Sequence, residues 1–309
     1  MLDVRRLRVL REVALRGSIA GAAQSLSYSP SAVSQQMAKL EREAGLALLR
    51  RGPRSVELTE AGKRLAEHAE AILERLDEAE SDLRRLAGEE APLRLGSITT
   101  AAATILPAAL ASFADRRPET PVSVLEADPL VSLSRLRTRE LDLAVVFEYD
   151  YVPLPTDDRL ELELLLEEPM RVLLPAGHPV ARQRAVRLPD LADEPWIQST
   201  QRSSCRPFTE RACRAAGFEP RIVADFDDYT VLQNAVAAGV GVGFASDLGL
   251  SSRSPGVAVK PIAFAAPQRR IFAGIRRNES TVPAIAVMLD ALRDAVAARQ
   301  ALPAAAGAS

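Results

Sequence analysis

The stretch Ser18–Leu40, SIAGAAQSLSYSPSAVSQQMAKL, decides how the rest of the chain is read. It predicts a helix carrying the alanine pair Ala22 and Ala23, a short polar turn, and a second helix opened by Ser29 and Pro30. Ser29 can cap the backbone donors of the first turn, and Pro30 stands where a missing N–H and a fixed φ are harmless. Within the second helix Val33, Met37, Leu40 and Ala44 recur at intervals of 4, 3 and 4, which makes one apolar stripe. Ser31, Ser34, Gln35, Ala38 and Arg42 are left facing outward. Small polar side chains on a rigid helix can reach base edges, and a helix-turn-helix places its second helix in the major groove. The same spacing fits an ordinary helical hairpin, so the flanking sequence has to decide between them.

Upstream, Asp3–Arg16 has Val4, Leu7, Leu10, Val13 and Ala14 at helical spacing, a cover for the apolar side of the motif. Downstream, Gly45 stops the second helix, and LALLRRGPRSVELT (46–59) has the Gly-Pro turn and short apolar flanks of a β-hairpin wing. Arg50, Arg51 and Arg54 cluster at its tip, suited to phosphates or a minor groove. Thr59 then caps a helix in which Leu65, Ala69, Ile72, Leu76, Ala79, Leu83 and Leu86 recur at 4, 3, 4, 3, 4 and 3. That heptad seam, roughly 43 Å long at 1.5 Å per residue, predicts pairing with a second helix. Homodimerisation would present two recognition helices to two half-sites.

Charge is unevenly distributed along the chain. The whole 309 residues carry a formal −2, which argues against nucleic acid until it is divided. Residues 1–58 hold ten Lys or Arg against five Asp or Glu, and residues 59–91 hold five against ten. The basic excess therefore accompanies the motif. With 47% hydrophobic and 26% charged residues the chain has the composition of a folded globular protein. No secretory leader pattern and no run of about 18 apolar residues is present, so a cytoplasmic location with no membrane association is expected.

Beyond the turn-rich stretch Gly88–Pro92, strands alternate with helices. LRLGSI, PVSVLEA and LDLAVVF read as strands, separated by helices over 101–116 and 130–139. After Pro153–Asp158 come MRVLLP, WIQS, a helix through Arg211 and Ala216, PRIVADF, a helix over 229–238, and VGVGFA. This alternation predicts a doubly wound parallel sheet in two α/β lobes, with ligands in a crevice at the carboxyl ends of the strands. The expected domains are residues 1–58, a linker helix and hinge at 59–91, an effector domain at 92–301, and a flexible tail at 302–309. Within the effector domain lobe I takes about 92–163 and 268–301, and lobe II about 164–267.

Over nearly its full length the chain resembles the LysR-type transcriptional regulators. The likeness rests on Gly17, Ser18, Ala22, Ala23, Leu26, Ala32, Val33, Ser34, Gln36, Leu40, Glu41 and Gly45, and continues through Arg51, Arg54, Val56, Leu58, Thr59, Ala61 and Gly62. Leu106-Pro107, Leu141-Asp142-Leu143-Ala144, His178-Pro179 and Ala238-Gly239-Val240-Gly241 extend it. The resemblance implies a winged helix-turn-helix, a coiled-coil linker, and a two-lobed domain built like periplasmic solute-binding proteins. It implies a non-enzymatic regulator that binds double-stranded DNA and a small effector, forms homodimers and homotetramers, and works beside RNA polymerase. By the same resemblance Pro30, Ser31, Ser34 and Gln35 face the major groove, Arg51 and Arg54 the backbone or minor groove, and Ser18 a phosphate. The chain departs from the family at Pro30-Ser31, where Gln-Pro is common, at Gln35, where Arg is common, and at Leu49, where Phe is usual. Gln favours adenine where Arg favours guanine.

For the effector the resemblance points to Thr99 and Thr100 after the first strand, with Gln198, Ser199 and Thr200 across the cleft and Asp128, Phe147 and Asp227 nearby. A carboxylate-bearing metabolite is the expected ligand. Asp128 or Asp227 inside the pocket would instead favour a cationic or amino-bearing group. No cofactor is expected. Gly239, Gly241 and Gly243 follow a helix and lead into a strand, the wrong order for dinucleotide binding. His68 and His178 form no metal-ligand pattern. Cys205 and Cys213 leave open a thiol-based, redox-sensing alternative, because the peroxide-sensing branch of the family uses two cysteines in this region. Eight residues along one helix would separate them by about 12 Å, beyond disulfide reach. A solute-binding module or an enzyme with an accessory helical domain is the remaining alternative.

Overall fold

A computed structural model describes residues 1–26, 28–51, 56–86, 91–201 and 203–301. The chain divides into two compact units, Met1–Ala91 and Pro92–Ser309. Arg54, the hinge residues 87–90 and the tail 302–309 lie outside the described residues.

In the first unit α1 (Val4–Arg16) is capped by Asp3, which accepts from the Arg5 N–H at 2.8 Å, and ends on Gly17 with φ 61°. Ser18 caps α2 (Ile19–Ser25), accepting from the Gly21 N–H at 3.0 Å. Ser29 caps α3 (Pro30–Ala44), accepting from the Ala32 N–H at 3.1 Å. Leu7, Leu10, Ala22, Ala23, Val33, Met37 and Leu40 bury together, so the stripe at 4, 3, 4 spacing faces this small core. The wing is β1 (Leu49–Arg51) antiparallel to β2 (Val56–Leu58). Its base is held by the Glu41 carboxylate, which accepts from the Leu48 and Leu49 N–H groups at 2.8 and 3.1 Å.

Helix α4 (Glu60–Leu86) follows, with Thr59 accepting from the Gly62 N–H at 3.0 Å and donating to the Ala47 carbonyl at 2.7 Å. Gly62 lies so close to the wing base that a Cβ there would stand 2.1 Å from the Leu48 oxygen. The heptad seam does not keep one role along this helix. Leu65 and Ala69 pack into the unit's own core, so these two are intramolecular contacts. Leu73, one place off the seam, is buried. Ile72, Leu76, Ala79 and Leu83 are exposed, and the Leu86 side chain lies outside the described set.

The second unit contains β3 (Leu93–Ser97), α5 (Thr99–Thr104), α6 (Leu106–Arg116), β4 (Val122–Glu126), α7 (Pro129–Arg137), β5 (Leu143–Tyr149) and β6 (Leu160–Pro169). These are followed by β7 (Arg171–Pro175), β8 (Pro195–Gln198), α8 (Arg206–Ala215), β9 (Arg221–Asp225), α9 (Tyr229–Ala237), β10 (Gly243–Ala245), β11 (Val257–Pro261), β12 (Gln268–Arg276) and α10 (Pro283–Ala301). Lobe I is a five-stranded sheet in the order β4-β3-β5-β12-β6. The sheet is mixed rather than all parallel: β3 runs parallel to β4 and β5, while β12 is antiparallel to β5 and β6. Because β6 extends to Pro169, residues 164–169 belong to lobe I, and the lobe boundary expected at 163/164 moves to Met170. Strand β5 alternates faces, with Leu143, Val145 and Phe147 in one core and Ala144 and Val146 in the other, beside Leu133 and Leu136 of α7. This burial on both faces explains the unbroken apolar run LAVVF.

Lobe II joins β10-β7-β11, all antiparallel, to the parallel pair β8-β9 through the Trp196–Val242 bridge. The chain passes between the lobes twice, at Met170 and at Pro267, and the Met170 N–H donates to the Pro267 carbonyl at 2.8 Å.

Candidate functional site

Two places carry the expected site residues, one in each unit. On α3, Pro30, Ser31 and Gln35 are exposed and Ser34 is half-buried beside the buried Val33 and Met37. The Ser31 hydroxyl lies 2.9 Å from that of Ser29, so the first turn is held together by the cap itself. Gln35 makes no hydrogen bond among the described residues and keeps its amide available. Arg6 on α1 donates to Gln36 at 3.3 Å and pairs with Glu43, tying the flanks of α3 to α1 while its outer face stays open. Arg51 lies in β1.

The second place is a cavity in the effector unit holding about 480 Å³ of space unfilled by atoms, part of it open solvent. Of the residues expected at an effector site, Gln198, Ser199 and Asp227 line it, together with Tyr149, Cys205, Phe208, Phe244 and others. Thr200 stands behind Asp227, donating to its carboxylate from the backbone at 2.9 Å and from the hydroxyl at 2.6 Å. The other four expected residues do not line the cavity. Thr99 donates to Glu126 at 2.7 Å on the outside of lobe I. Asp128 caps α7 and spans the cleft instead, accepting from the Ser204 N–H at 2.8 Å and the Ser204 hydroxyl at 2.5 Å. Phe147 is buried beneath the guanidinium of Arg269, 5.5 Å from the ring centre. Thr100 is buried and accepts from Arg269 at 3.3 Å.

Arg269 organises the floor of this region and escapes a reading of the sequence. It is 1% exposed and donates to Glu168 from Nε at 2.7 Å, with Nη2 at 2.5 Å. The second Glu168 oxygen accepts from the Leu248 N–H at 2.8 Å. The pair therefore fastens the ends of β6 and β12 in lobe I to the 3₁₀ turn Leu248–Leu250 in lobe II. Burial alone would lower the Arg269 pKa, but the Glu168 carboxylate, together with Tyr229, Tyr149 and Cys205, outweighs it and keeps the guanidinium charged. The Tyr149 hydroxyl donates to the Cys205 Sγ at 3.4 Å, and its ring stacks on Phe208 at 4.3 Å. Burial pushes the Tyr149 and Cys205 groups up, so both stay neutral near neutral pH. Cys205 precedes α8 and Cys213 lies on it, fully buried, its thiol pushed up to about 12 chiefly by burial. The His178 ring lies 3.1 Å from Glu194 in a turn, and no grouping of metal ligands occurs among the described residues.

Comparison with known proteins matches both units. Residues 4–63 match the family described as bacterial regulatory helix-turn-helix protein, lysR family, and residues 86–297 the LysR substrate binding domain. The transcriptional dual regulator GltC of Bacillus subtilis is 27% identical over 285 residues, 91% of this chain and 93% of its own. The HTH-type transcriptional regulator TtuA of Agrobacterium vitis is 30% identical over 71% of this chain and 72% of its own. Among solved structures, the Corynebacterium glutamicum OxyR C206 mutant superposes with a TM-score of 0.57 at 26% identity, covering 97% of this chain and 94% of that one. The helix-turn-helix unit and the two-lobed unit thus each match a family model. The chain belongs to the LysR family of transcriptional regulators, non-enzymatic DNA-binding proteins that carry an effector-binding domain.

Proposed function

We propose that the chain reads an operator through the outer face of α3 and changes its grip on DNA when a small molecule fills the lobe cavity. The observation that carries this is the open polar face of α3, capped at Ser29 and seated by Val33, Met37 and Leu40. Pro30, Ser31, Ser34 and Gln35 approach base edges, Ser18 and Arg51 hold phosphates, and Arg54 enters the minor groove. Ile72, Leu76, Ala79 and Leu83 form the dimer seam, and tetramers assemble from those dimers. RNA polymerase is the further protein partner, and the cytoplasm the site of action; no helix among the described residues is long and apolar enough to cross a membrane. Gel shifts on the DNA upstream of the gene, across a salt series, test this reading. Specific binding with a steep salt slope supports it, and weak binding independent of sequence overturns it. Gln35→Ala is expected to cost about 1–3 kcal/mol of discrimination at one base position while sparing nonspecific affinity.

The effector occupies the cavity bounded by Gln198, Ser199 and Asp227. No Lys or Arg lines it among the described residues, so the expectation of a carboxylate-bearing effector gains no support from its walls. A thermal-stability screen with metabolites of every charge class tests the cavity, because a bound effector raises the melting temperature by mass action. A thiol-based reading is favoured by one observation, that Cys205 lines this cavity. Cys213 contributes nothing to it, being buried and inert. Peroxide treatment that leaves DNA binding unchanged removes that reading.

A further inference from the structure

We infer that the cavity is built for a primary amine on an apolar body. This rests on the cavity being the effector site and concerns what it selects. Gln198 is 4% exposed, and its Nε2 donates to the Asp225 carboxylate at 3.1 Å. That bond fixes the amide, since turning it over would set one oxygen against another. The Oε1 is then left buried in the cavity wall with no hydrogen-bond partner. An unsatisfied buried acceptor is a standing cost to the free protein, and a donor brought in by a ligand relieves it.

The charges around the cavity point the same way. Asp227 stands at its mouth, its partners there are the Thr200 N–H and hydroxyl, and no cation among the described residues pairs with it. The neighbouring cations are already engaged, Arg206 by Asp225 at 3.1 Å and Arg269 by Glu168 at 2.5 Å. An incoming carboxylate would meet Asp227 and an orphan oxygen with no free cation among the described lining residues. An ammonium meets two acceptors. Phe208, Phe226, Phe244 and Leu232 line the remaining wall, apolar surface for the body of the ligand and aromatic faces that attract a cation.

Phenethylamine, phenylacetamide and phenylacetate share a ring and a short chain and differ in the polar head, so they serve as probes. With the full-length protein, phenethylamine is expected to raise the melting temperature in proportion to the logarithm of its concentration, phenylacetamide less, and phenylacetate not at all. Titration calorimetry on Gln198→Leu is expected to show amine affinity falling by roughly tenfold or more. Asp225 keeps its Arg206 partner in that variant, and the unliganded melting point holds. Asp227→Asn, at the wetter mouth, is expected to lose several-fold. Stabilisation by phenylacetate equal to or above that by phenethylamine overturns the amine assignment while the cavity remains an effector site. Amine binding indifferent to both substitutions lies elsewhere and also overturns it. If none of the three probes binds, the amine assignment falls, and the wider metabolite screen then decides separately whether the cavity takes an effector at all.

Discussion

The outer face of α3 and the lobe cavity are both polar, yet they are built in opposite ways. On α3 each polar group comes from within one turn of its neighbour, stays wet, and is free to change partners. Beneath the cavity the polar groups come from residues as far apart as Glu168 and Arg269, are dry, and are held by one another. Wet, local groups contribute little to stability and can be replaced to change what the surface reads. Dry, long-range groups fix the geometry of two lobes, so a change in one is felt by the fold before it is felt by a ligand.

The sharpest way to break this contrast is at Glu168. Glu168→Ala strands a buried guanidinium and is expected to cost about 3–5 kcal/mol, read by urea unfolding, whereas joint replacement of Glu168 and Arg269 by apolar residues should recover most of it. If the single change costs under about 1 kcal/mol, water reaches the pair and the contrast fails. Asp142 is an intermediate case. Burial pushes its pKa up, but the hydrogen bonds and charge of Arg94, joined by Arg276, outweigh this and hold it below the ordinary 3.8. A depressed carboxylate stabilises above its unfolded pKa and loses that contribution as pH falls through the folded value. Asp142→Asn is therefore expected to cost about 1–3 kcal/mol at pH 7, shrinking below pH 3.8, as followed by unfolding at several pH values. The smallest effect belongs to the wet side. Ser29→Ala removes the cap of α3 and is expected to cost about 1 kcal/mol, seen as a modest loss of melting temperature. A larger loss would mean that the recognition face is structural after all.

The same contrast explains what the sequence discloses. The first unit was legible down to its caps, because Asp3, Ser18, Ser29 and Thr59 act within three residues of themselves. The stripe on α4 was legible as a period but not as a partner: Leu65 and Ala69 serve the domain, and spacing says nothing of what covers them. In the effector unit β3, β4 and β5 announce themselves as apolar runs. Strand β6, LELELLLEEP, and strand β12, QRRIFAGIR, carry many charges at a sheet edge or beside it, so no unbroken apolar run like LAVVF marks them. Of the expected effector residues on the second lobe, Thr200 stands behind Asp227, while Gln198, Ser199 and Asp227 line the cavity. Thr100 and Phe147 were drawn under it by Arg269, whose partner lies a hundred residues away, and no local pattern signals such a pair.

The late arrival of β12 has a consequence for biosynthesis. Lobe II is a single uninterrupted run from Met170 to about Pro267, whereas lobe I waits for β12 and α10. Strand β5 pairs with β3 early, but its other edge is closed only when Arg269 and its neighbours pair with Tyr149 and the residues before it. On the ribosome that edge stays bare for roughly 120 residues, about 6–24 s of elongation. LAVVFEY is an apolar edge strand throughout that interval, the kind of template that recruits other chains. The nascent protein thus passes through a window in which every strand of lobe II is already available for pairing while the sheet of lobe I still has an apolar edge open.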